Sequence, residues 1–452
     1  MAALAHCFQE KVEENIGPGL GGEGLLTEHR IIVGTIFFLA ILVTFTAANL
    51  LWWRWVDRRM RSWAGSRAWR VVLACFVVGM LVYVAGVGTM VTARWLPMPI
   101  HVFAYLWNIL VLPVSLVCMG VVALGVWGWK SMNPSKAGNP AAGAAAWRAL
   151  PTRRRVLGMA GAVVPPLVAL GLTGVAEAEL GTFRIRRIAL PVAGLPGDLE
   201  GMTITQVTDV HIGRFLPSGT LPKILDAVRG LNADVVVFTG DVLDASQRDI
   251  GPAIEFLQDL RPTDGRPYAI VEGNHDVAHG AEWFESMVLG AGLPLLLDSS
   301  IVMRVPGRAT PIRLCGISWG KLVPGSELGQ LGEAGRRMTR KNDDAAMAES
   351  VAKVSAQRQD GEFPLLLVHH PHAFDAAADH VFPLVLAGHT HGGQIMLTRN
   401  IGAGPIRFRY WSGTHRRGDS RLVISNGVGN WFPLRINAPT EIVHITLRRS
   451  KK

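Results

Sequence analysis

The chain has 452 residues, 49% of them hydrophobic and only 18% charged, with a formal net charge of +10. It is too long for one ordinary domain and too apolar for a wholly soluble protein, so a membrane-embedded part joined to a soluble one is expected. The positive excess collects in two short arginine-rich stretches between apolar runs, which speaks for membrane topology and against a nucleic-acid footprint; Cys7, Cys75, Cys118 and Cys315 form no CxxC pair, which removes a disulfide framework and a thiolate zinc site.

Residues 1–30 read as a Gly-rich, mildly acidic tail. Residues 31–177 then read as a transmembrane region of four helices. Ile31 to Trp53 and Val71 to Ala93 carry no charge, and each is long enough to cross about 30 Å of hydrocarbon. Val102 to Trp129 follows the helix-breaking Pro97 and Pro99, and Val156 to Ala176 carries Pro165-Pro166, where a kink is expected. Trp52, Trp53, Trp127 and Trp129 stand at span ends, as interfacial anchors do.

The loops set the orientation. Arg54, Arg58, Arg59, Arg61, Arg67 and Arg70 crowd the first loop, and Lys130, Lys136, Arg148 and Arg153 to Arg155 the third; the intervening loop has only Arg94. The positive-inside rule places both basic loops in the cytoplasm, so the N-terminus and everything after Ala176 lie outside it. Arg153-Arg154-Arg155 before the fourth span also has the form of an internal twin-arginine signal, and Ala176-Glu177-Ala178 that of a cleavage site.

From about Gly201 the texture becomes α/β. Met202 to Val207 is a short apolar strand that ends in Asp209-Val210-His211. Ser218 to Asn232 has helical periodicity, and Val235 to Phe238 is a continuous apolar strand ending in Gly240-Asp241. A second helical segment at Ala253–Leu260 leads to Tyr268 to Val271, which ends in Gly273-Asn274-His275-Asp276. Later, Leu365 to Val368 ends in His369-His370-Pro371, and Leu384 to Ala387 ends in Gly388-His389-Thr390-His391-Gly392-Gly393-Gln394. Apolar strands that each end in Asp, Asn or His gather those side chains where open α/β sheets place their sites.

These motifs in this order resemble the calcineurin-like metallophosphoesterases, in particular the membrane-associated bacterial YkuE and YaeI type. The likeness covers roughly residues 183–447, including the turns at Gly427 to Gly429 and Pro433 to Arg435 and the strand Glu441 to Leu447. It implies a four-layer α/β/β/α sandwich in residues 178–452 and two divalent metal ions. By the same likeness, Asp209, His211 and His391 take one ion; Asn274, His369 and His389 take the other; and Asp241 bridges. His275 would face the substrate phosphate with Asp276 as its orienting partner, and His370 is the weaker candidate of its pair. Ile317-Ser318-Trp319 departs from the paired aspartates common in that branch, which bears on substrate contacts.

The chemistry follows from the residue types. Two carboxylates against two divalent cations leave about two positive charges for a phosphate ester. Cations about 3.5–4 Å apart acidify a bridging water that attacks phosphorus in line, and His275 can protonate the leaving oxygen. Mixed N/O ligation suits Mn, Fe or Zn better than Mg. The expected activity is thus two-metal phosphoester hydrolysis outside the cytoplasm, on a phosphodiester, with a lipid-linked or envelope phosphate among the candidate substrates. The alternatives are a protein phosphatase and a decayed membrane-anchored binding module. No nucleic-acid partner and no particular oligomeric state is implied. Two basic clusters stand apart: Arg336, Arg337, Arg340 and Lys341 in a helix-like stretch at 327–359, and Arg407, Arg409, Arg416 and Arg417 around Tyr410 and Trp411.

Overall fold

The structure is a computed structural model that describes residues 24–61, 66–87, 96–132, 151–244, 246–278, 280–319 and 340–450. It divides into two compact units, Met1–Glu177 and Ala178–Lys452.

In the first unit the helices are α1 (Gly24–Met60), α2 (Ser66–Val87), α3 (Met98–Tyr105), α4 (Leu112–Met132) and α5 (Pro151–Glu179), with a π-helical turn (Leu106–Val111) joining α3 to α4. Among the described residues three stretches are long and apolar enough to cross a membrane: Arg67–Gly86, Met98–Gly125 and Met159–Glu179. These correspond to three of the four expected spans. The span expected at 31–53 falls in α1, but the side chains of 24–38 lie outside the described residues. The π turn sits just before Pro113, whose missing N–H interrupts the α-helical ladder, whereas α5 runs on through Pro165 and Pro166.

Trp52 is not an interfacial anchor. It is fully buried against Phe76 and Trp107, and its indole N–H donates to the Gly161 carbonyl. Trp127 is exposed, as an anchor would be. Asn49 and Asn108, both buried, bond each other at 3.0 Å, and Asn49 accepts from the Trp107 indole at 2.9 Å. Apolar surroundings make such polar groups costly unless paired, and these are paired.

The second unit is built on two mixed sheets. The first, in the order β1-β13-β2-β3-β4, uses β1 (Arg184–Val192), β2 (Thr203–Val207), β3 (Val235–Thr239), β4 (Tyr268–Val271) and β13 (Glu441–Arg449). The second, β11-β12-β8-β7-β6-β5, uses β5 (Ser299–Met303), β6 (Ile312–Gly316), β7 (Phe363–Leu367), β8 (Leu384–Ala387), β11 (Gly413–Arg417) and β12 (Ser420–Ile424). A small ribbon, β9 (Met396–Thr398) with β10 (Ile401–Gly402), stands apart from both.

Side chains alternate across each strand, and so the continuous apolar runs feed two cores at once. Val235, Val237, Leu365, Leu367, Leu384 and Leu386 share a core between the sheets. Val236, Phe238 and Ile270 turn the other way, onto α6 (Thr220–Leu231), α7 (Ile250–Leu260) and α8 (Ala281–Gly290). Leu366, Val385 and Leu422 turn onto α9 (Arg340–Ser355) and α10 (Phe374–Asp379). Each fully buried Val, Leu or Phe contributes about 1.5–3 kcal/mol, so a four-layer stack of this kind holds its strand ends firmly. Of the basic cluster expected at 336–341, Arg336 and Arg337 lie outside the described residues, as do the side chains of Arg340 and Lys341.

Candidate metal centre

The candidate ligands stand on turns just beyond strand carboxyl ends. β2 leads to Asp209 and His211, β3 to Asp241, β4 to Asn274, β7 to His369, and β8 to His389 and His391. The structure brings all of them together in two lobes. In one, His211 Nε2 and His391 Nε2 are 3.0 Å apart, and His391 Nε2 is 3.2 Å from Asp209 Oδ1. In the other, His389 Nδ1 is 2.8 Å from Asn274 Oδ1 and 3.3 Å from His369 Nε2. Asp241 Oδ2 joins them, 3.6 Å from His211 Nε2 and 3.2 Å from His369 Nε2.

The turns are unusual in their backbone. Asp209 (φ 53°), His211 (49°), Asp241 (60°), His389 (72°) and His391 (50°) all lie in the left-handed region. Non-glycine residues there cost on the order of 1 kcal/mol or more each, and surrounding bonds must hold them. Asp209 N donates to Gly240 O at 2.9 Å and His211 N to Asp241 O at 3.2 Å, so the turns after β2 and β3 brace one another. Glycines make room. A Cβ at Gly273 would lie 2.1 Å from Asp241 Oδ1, and one at Gly388 would lie 2.4 Å from Asp209 Oδ2.

Asp276 does not orient His275. Its Oδ1 accepts from Val242 N (2.9 Å) and Leu243 N (3.0 Å), and its Oδ2 from Asp241 N (2.8 Å) and Gly273 N (2.9 Å). It is a clamp on the Asp241 turn. The partner of His275 is Asp244, whose carbonyl oxygen meets Nδ1 at 2.5 Å and whose carboxylate lies 4.0 Å away. His275 is half-buried, beside His211, with ring centroids 4.6 Å apart. His370 packs beside the site rather than into either lobe: its ring lies 4.6 Å from that of His389, and its Nδ1 accepts from His372 N.

Charge is finely divided here. Burial alone would raise the Asp209 carboxyl, but the charge of His391 and hydrogen bonds from His211 and His391 outweigh it and hold it well below the carboxylate range. Asp241 is lowered against its own burial, chiefly by His369 and His275. Burial would lower His369, yet Asp241 beside it pushes the imidazole up to about 9. His391 falls to about 3 because burial and Arg435 together outweigh Asp209. Burial, followed by the charge of Asp241, pushes Asp276 up to about 7.

The donor set fits divalent metal. His369 Nδ1 is 2.7 Å from the Thr239 carbonyl, so in the neutral ring Nδ1 carries the proton and the Nε2 lone pair faces Asp241. Imidazole nitrogens and carboxylate oxygens converge within 4.8 Å in the groups Asp209–His211–His391 and Asp241–His369–His389. Opposed imidazole nitrogens at 3.0 Å can share at most one proton and otherwise direct lone pairs at each other, an arrangement a cation relieves. A third group, His211–Asp244–His275, shares His211 with the first and has His275 Nδ1 already engaged by the Asp244 carbonyl.

Three surrounding residues escaped sequence reasoning. Asp244 is one. Arg435, fully within the protein, sends Nη2 to His391 Nδ1 at 2.7 Å and to Gly429 O, and Nη1 to Asn426 O at 2.6 Å. Trp319 lies 5.1 Å from the His389 ring and 5.3 Å from His369, an aromatic wall on one lobe. Arg435 lies in a turn already tied to the family likeness, and Trp319 in the stretch that departs from it; neither signal carries a role. Of the second basic cluster, Arg409 and Arg417 pair with Asp375, so they are tied to α10.

Two mixed sheets with imidazoles and carboxylates gathered at their strand ends make a candidate divalent-metal centre. Residues 202–393 match the family described as calcineurin-like phosphoesterase, and the chain carries a calcineurin-like metallophosphoesterase domain. Its relatives include the transmembrane protein with metallophosphoesterase domain of Danio rerio, 28% identical over 58% of this chain and 57% of that one. The uncharacterized metallophosphoesterase YkuE of Bacillus subtilis is 26% identical over 56% of this chain and 82% of its own length. The phosphodiesterase YaeI of Escherichia coli is 24% identical over 60% and 90%. Against three curated relatives the match spans only 65%, 57% and 60% of the relative's length.

Proposed function

We propose that this chain is a membrane-anchored hydrolase of phosphate esters with a dinuclear metal centre facing away from the cytoplasm. The observation that carries the reading is the position of Asp241, whose Oδ2 stands between a lobe of Asp209, His211 and His391 and a lobe of Asn274, His369 and His389. Each lobe would hold one divalent cation, and Asp241 both. When bound, such cations, with Mn, Fe or Zn suited to this N/O set, supply positive charge opposite phosphoryl oxygens and acidify water.

The protein's own groups do the rest. Only Asp209 and Asp241 bring negative charge to the ligand set, so the loaded centre attracts an anionic ester. The Asp244 carbonyl holds His275 Nδ1–H, so the imidazolium form of His275 is the one that would deliver its Nε2 proton to the departing oxygen and keep the Nδ1 bond. Trp319 narrows the approach beside His369 and His389 and selects among leaving groups. The relative named as a phosphodiesterase supports a diester substrate. The membrane-spanning helices support a substrate at the bilayer, and the basic loops support a domain outside the cytoplasm.

The test is Asp241→Asn in the full-length protein, assayed with Mn²⁺ on a chromogenic phosphodiester and by elemental analysis. Turnover is expected to fall at least about a hundredfold, with metal content below that of the parent. Unchanged turnover and unchanged metal would remove Asp241 from its shared position.

A further inference from the structure

Directly after His391 the chain leaves both sheets to make the β9–β10 ribbon and the short helix α11 (Ala403–Arg407). This projection is apolar where it should be polar. Ile406 is 82% exposed and Leu397 72%, the two most exposed large hydrophobic side chains among the described residues of the domain, and Ile401 adds 59%. Single exposed apolar residues need no explanation, but this concentration does.

The projection is also firmly held. Met396 N donates to Ile436 O at 3.0 Å, Asn437 Nδ2 donates to Met396 O at 2.8 Å, and Gln394 Nε2 donates to Leu434 O at 2.7 Å. The same loop carries Arg435, which touches His391, and Trp431, which is 40% exposed with its ring 6.4 Å from that of His391. The apolar tip is therefore coupled to the lip of the metal centre.

Charge decides what covers it. From Gln394 to Gly418 the sequence holds no Asp or Glu, while Arg399 and Arg407 flank the apolar side chains and are exposed. A second copy would bring the same positive charge against it, which like charges resist. An anionic lipid surface matches on both counts: acyl chains for the Leu and Ile, headgroups for the arginines. Such a surface is always nearby, because the same chain carries helices long and apolar enough to span it.

We propose that Met396–Arg407 is a membrane-docking element that seats Leu397, Ile401 and Ile406 in the interfacial layer of an anionic bilayer and holds the metal centre at headgroup level. The proposal goes beyond phosphoester hydrolysis and rests on membrane attachment, not on turnover.

The experiment uses the full chain in lipid nanodiscs. With Cys7, Cys75, Cys118 and Cys315 replaced by alanine, Ile406→Cys is labelled with an environment-sensitive fluorophore. Asp226→Cys, on an exposed face of α6, is the control. Brominated phosphatidylglycerol is expected to quench the label at 406 by about half or more and to leave the control unchanged. Adding Leu397→Ser and Ile401→Ser should abolish the quenching, and Arg399→Gln with Arg407→Gln should weaken it on anionic discs more than on zwitterionic ones. If the cysteine-free chain does not fold, hydrogen exchange of the unlabelled wild type replaces the label. Amides of 396–407 then exchange more slowly in anionic than in zwitterionic discs. A label at 406 as unquenched as the control, or protection that appears only as protein concentration rises, overturns the proposal. None of these readouts needs metal or substrate, so a failure of the hydrolase reading leaves them intact.

Discussion

Asp276→Asn separates a clamp from an acid–base catalyst. The carboxylate satisfies four buried backbone donors, two on each oxygen. Asparagine keeps one oxygen and turns an NH₂ toward the other two donors, leaving two buried N–H groups unpaired and facing a third donor. An unsatisfied buried donor costs about 1–3 kcal/mol, so the substitution destabilises the domain by roughly 2–6 kcal/mol. For a unit of this size that is a fall in apparent Tm of roughly 5–20 °C. The Asp241 turn, held at φ 60° by the same bonds, loosens with it. The assay pairs thermal unfolding in detergent with metal content and a pH–rate profile. A clamp lowers Tm and metal content and leaves the pH profile of the remaining activity in place. Loss of turnover with Tm within about 1 °C and full metal, together with a lost limb of the pH profile, would refute this reasoning and return Asp276 to the chemistry.

Other outcomes follow from the same geometry. Gly273→Ala places a methyl 2.1 Å from Asp241 Oδ1, and overpacking of this kind costs about 1–3 kcal/mol; the variant should retain less than half the metal of the parent, and full occupancy would contradict it. Arg435→Lys keeps the charge but loses the fork that holds Gly429, Asn426 and the His391 ring, leaving buried acceptors unpaired, so the domain should lose about 1–3 kcal/mol in thermal unfolding, and an unchanged Tm would show the fork to be idle. In the metal-free protein His369 is raised to about 9, so its stabilising pairing with Asp241 is fully present below the ordinary value near 6.5 and is lost as pH climbs through 9. Metal needs the neutral ring. Binding at pH 7.5 should therefore release about one proton or more, with affinity rising toward pH 9, and calorimetry in buffers of different ionisation enthalpy should detect it; a proton count of zero would refute the His369 assignment.

The ligands were readable because the strands that carry them are covered on both faces. Val235 to Phe238 and Leu384 to Ala387 appear as unbroken apolar runs, and the polar residues that follow stand out. β1 gave no such signal. Its Arg184 and Arg186 interrupt the apolar pattern and resemble solvent-facing charge, yet both bond the buried Glu441, more than 250 positions away. Asp276 misled because it adjoins His275 in sequence; the turn after β4 curls its carboxylate back onto the backbone of Asp241 to Leu243 instead. Arg435 was hidden for a related reason: its use depends on a loop that reaches the site only after the sheets have formed. The left-handed backbone of Asp209 and His389 leaves no mark in residue type at all, since Asp and His tolerate that region without requiring it.

One pairing has a consequence for synthesis. β1 opens the domain and β13 nearly closes it, and the two lie side by side in register from Arg184 with Glu441 to Val192 with Arg449. β13 also separates β1 from β2. As the chain emerges, β1 has no neighbour until the final strand arrives, and β2, which leads to Asp209 and His211, keeps one edge open for the same interval. Arg435 and Glu441 come equally late. The candidate centre thus sets only once β13 has been made, after every one of its proposed ligands has already emerged.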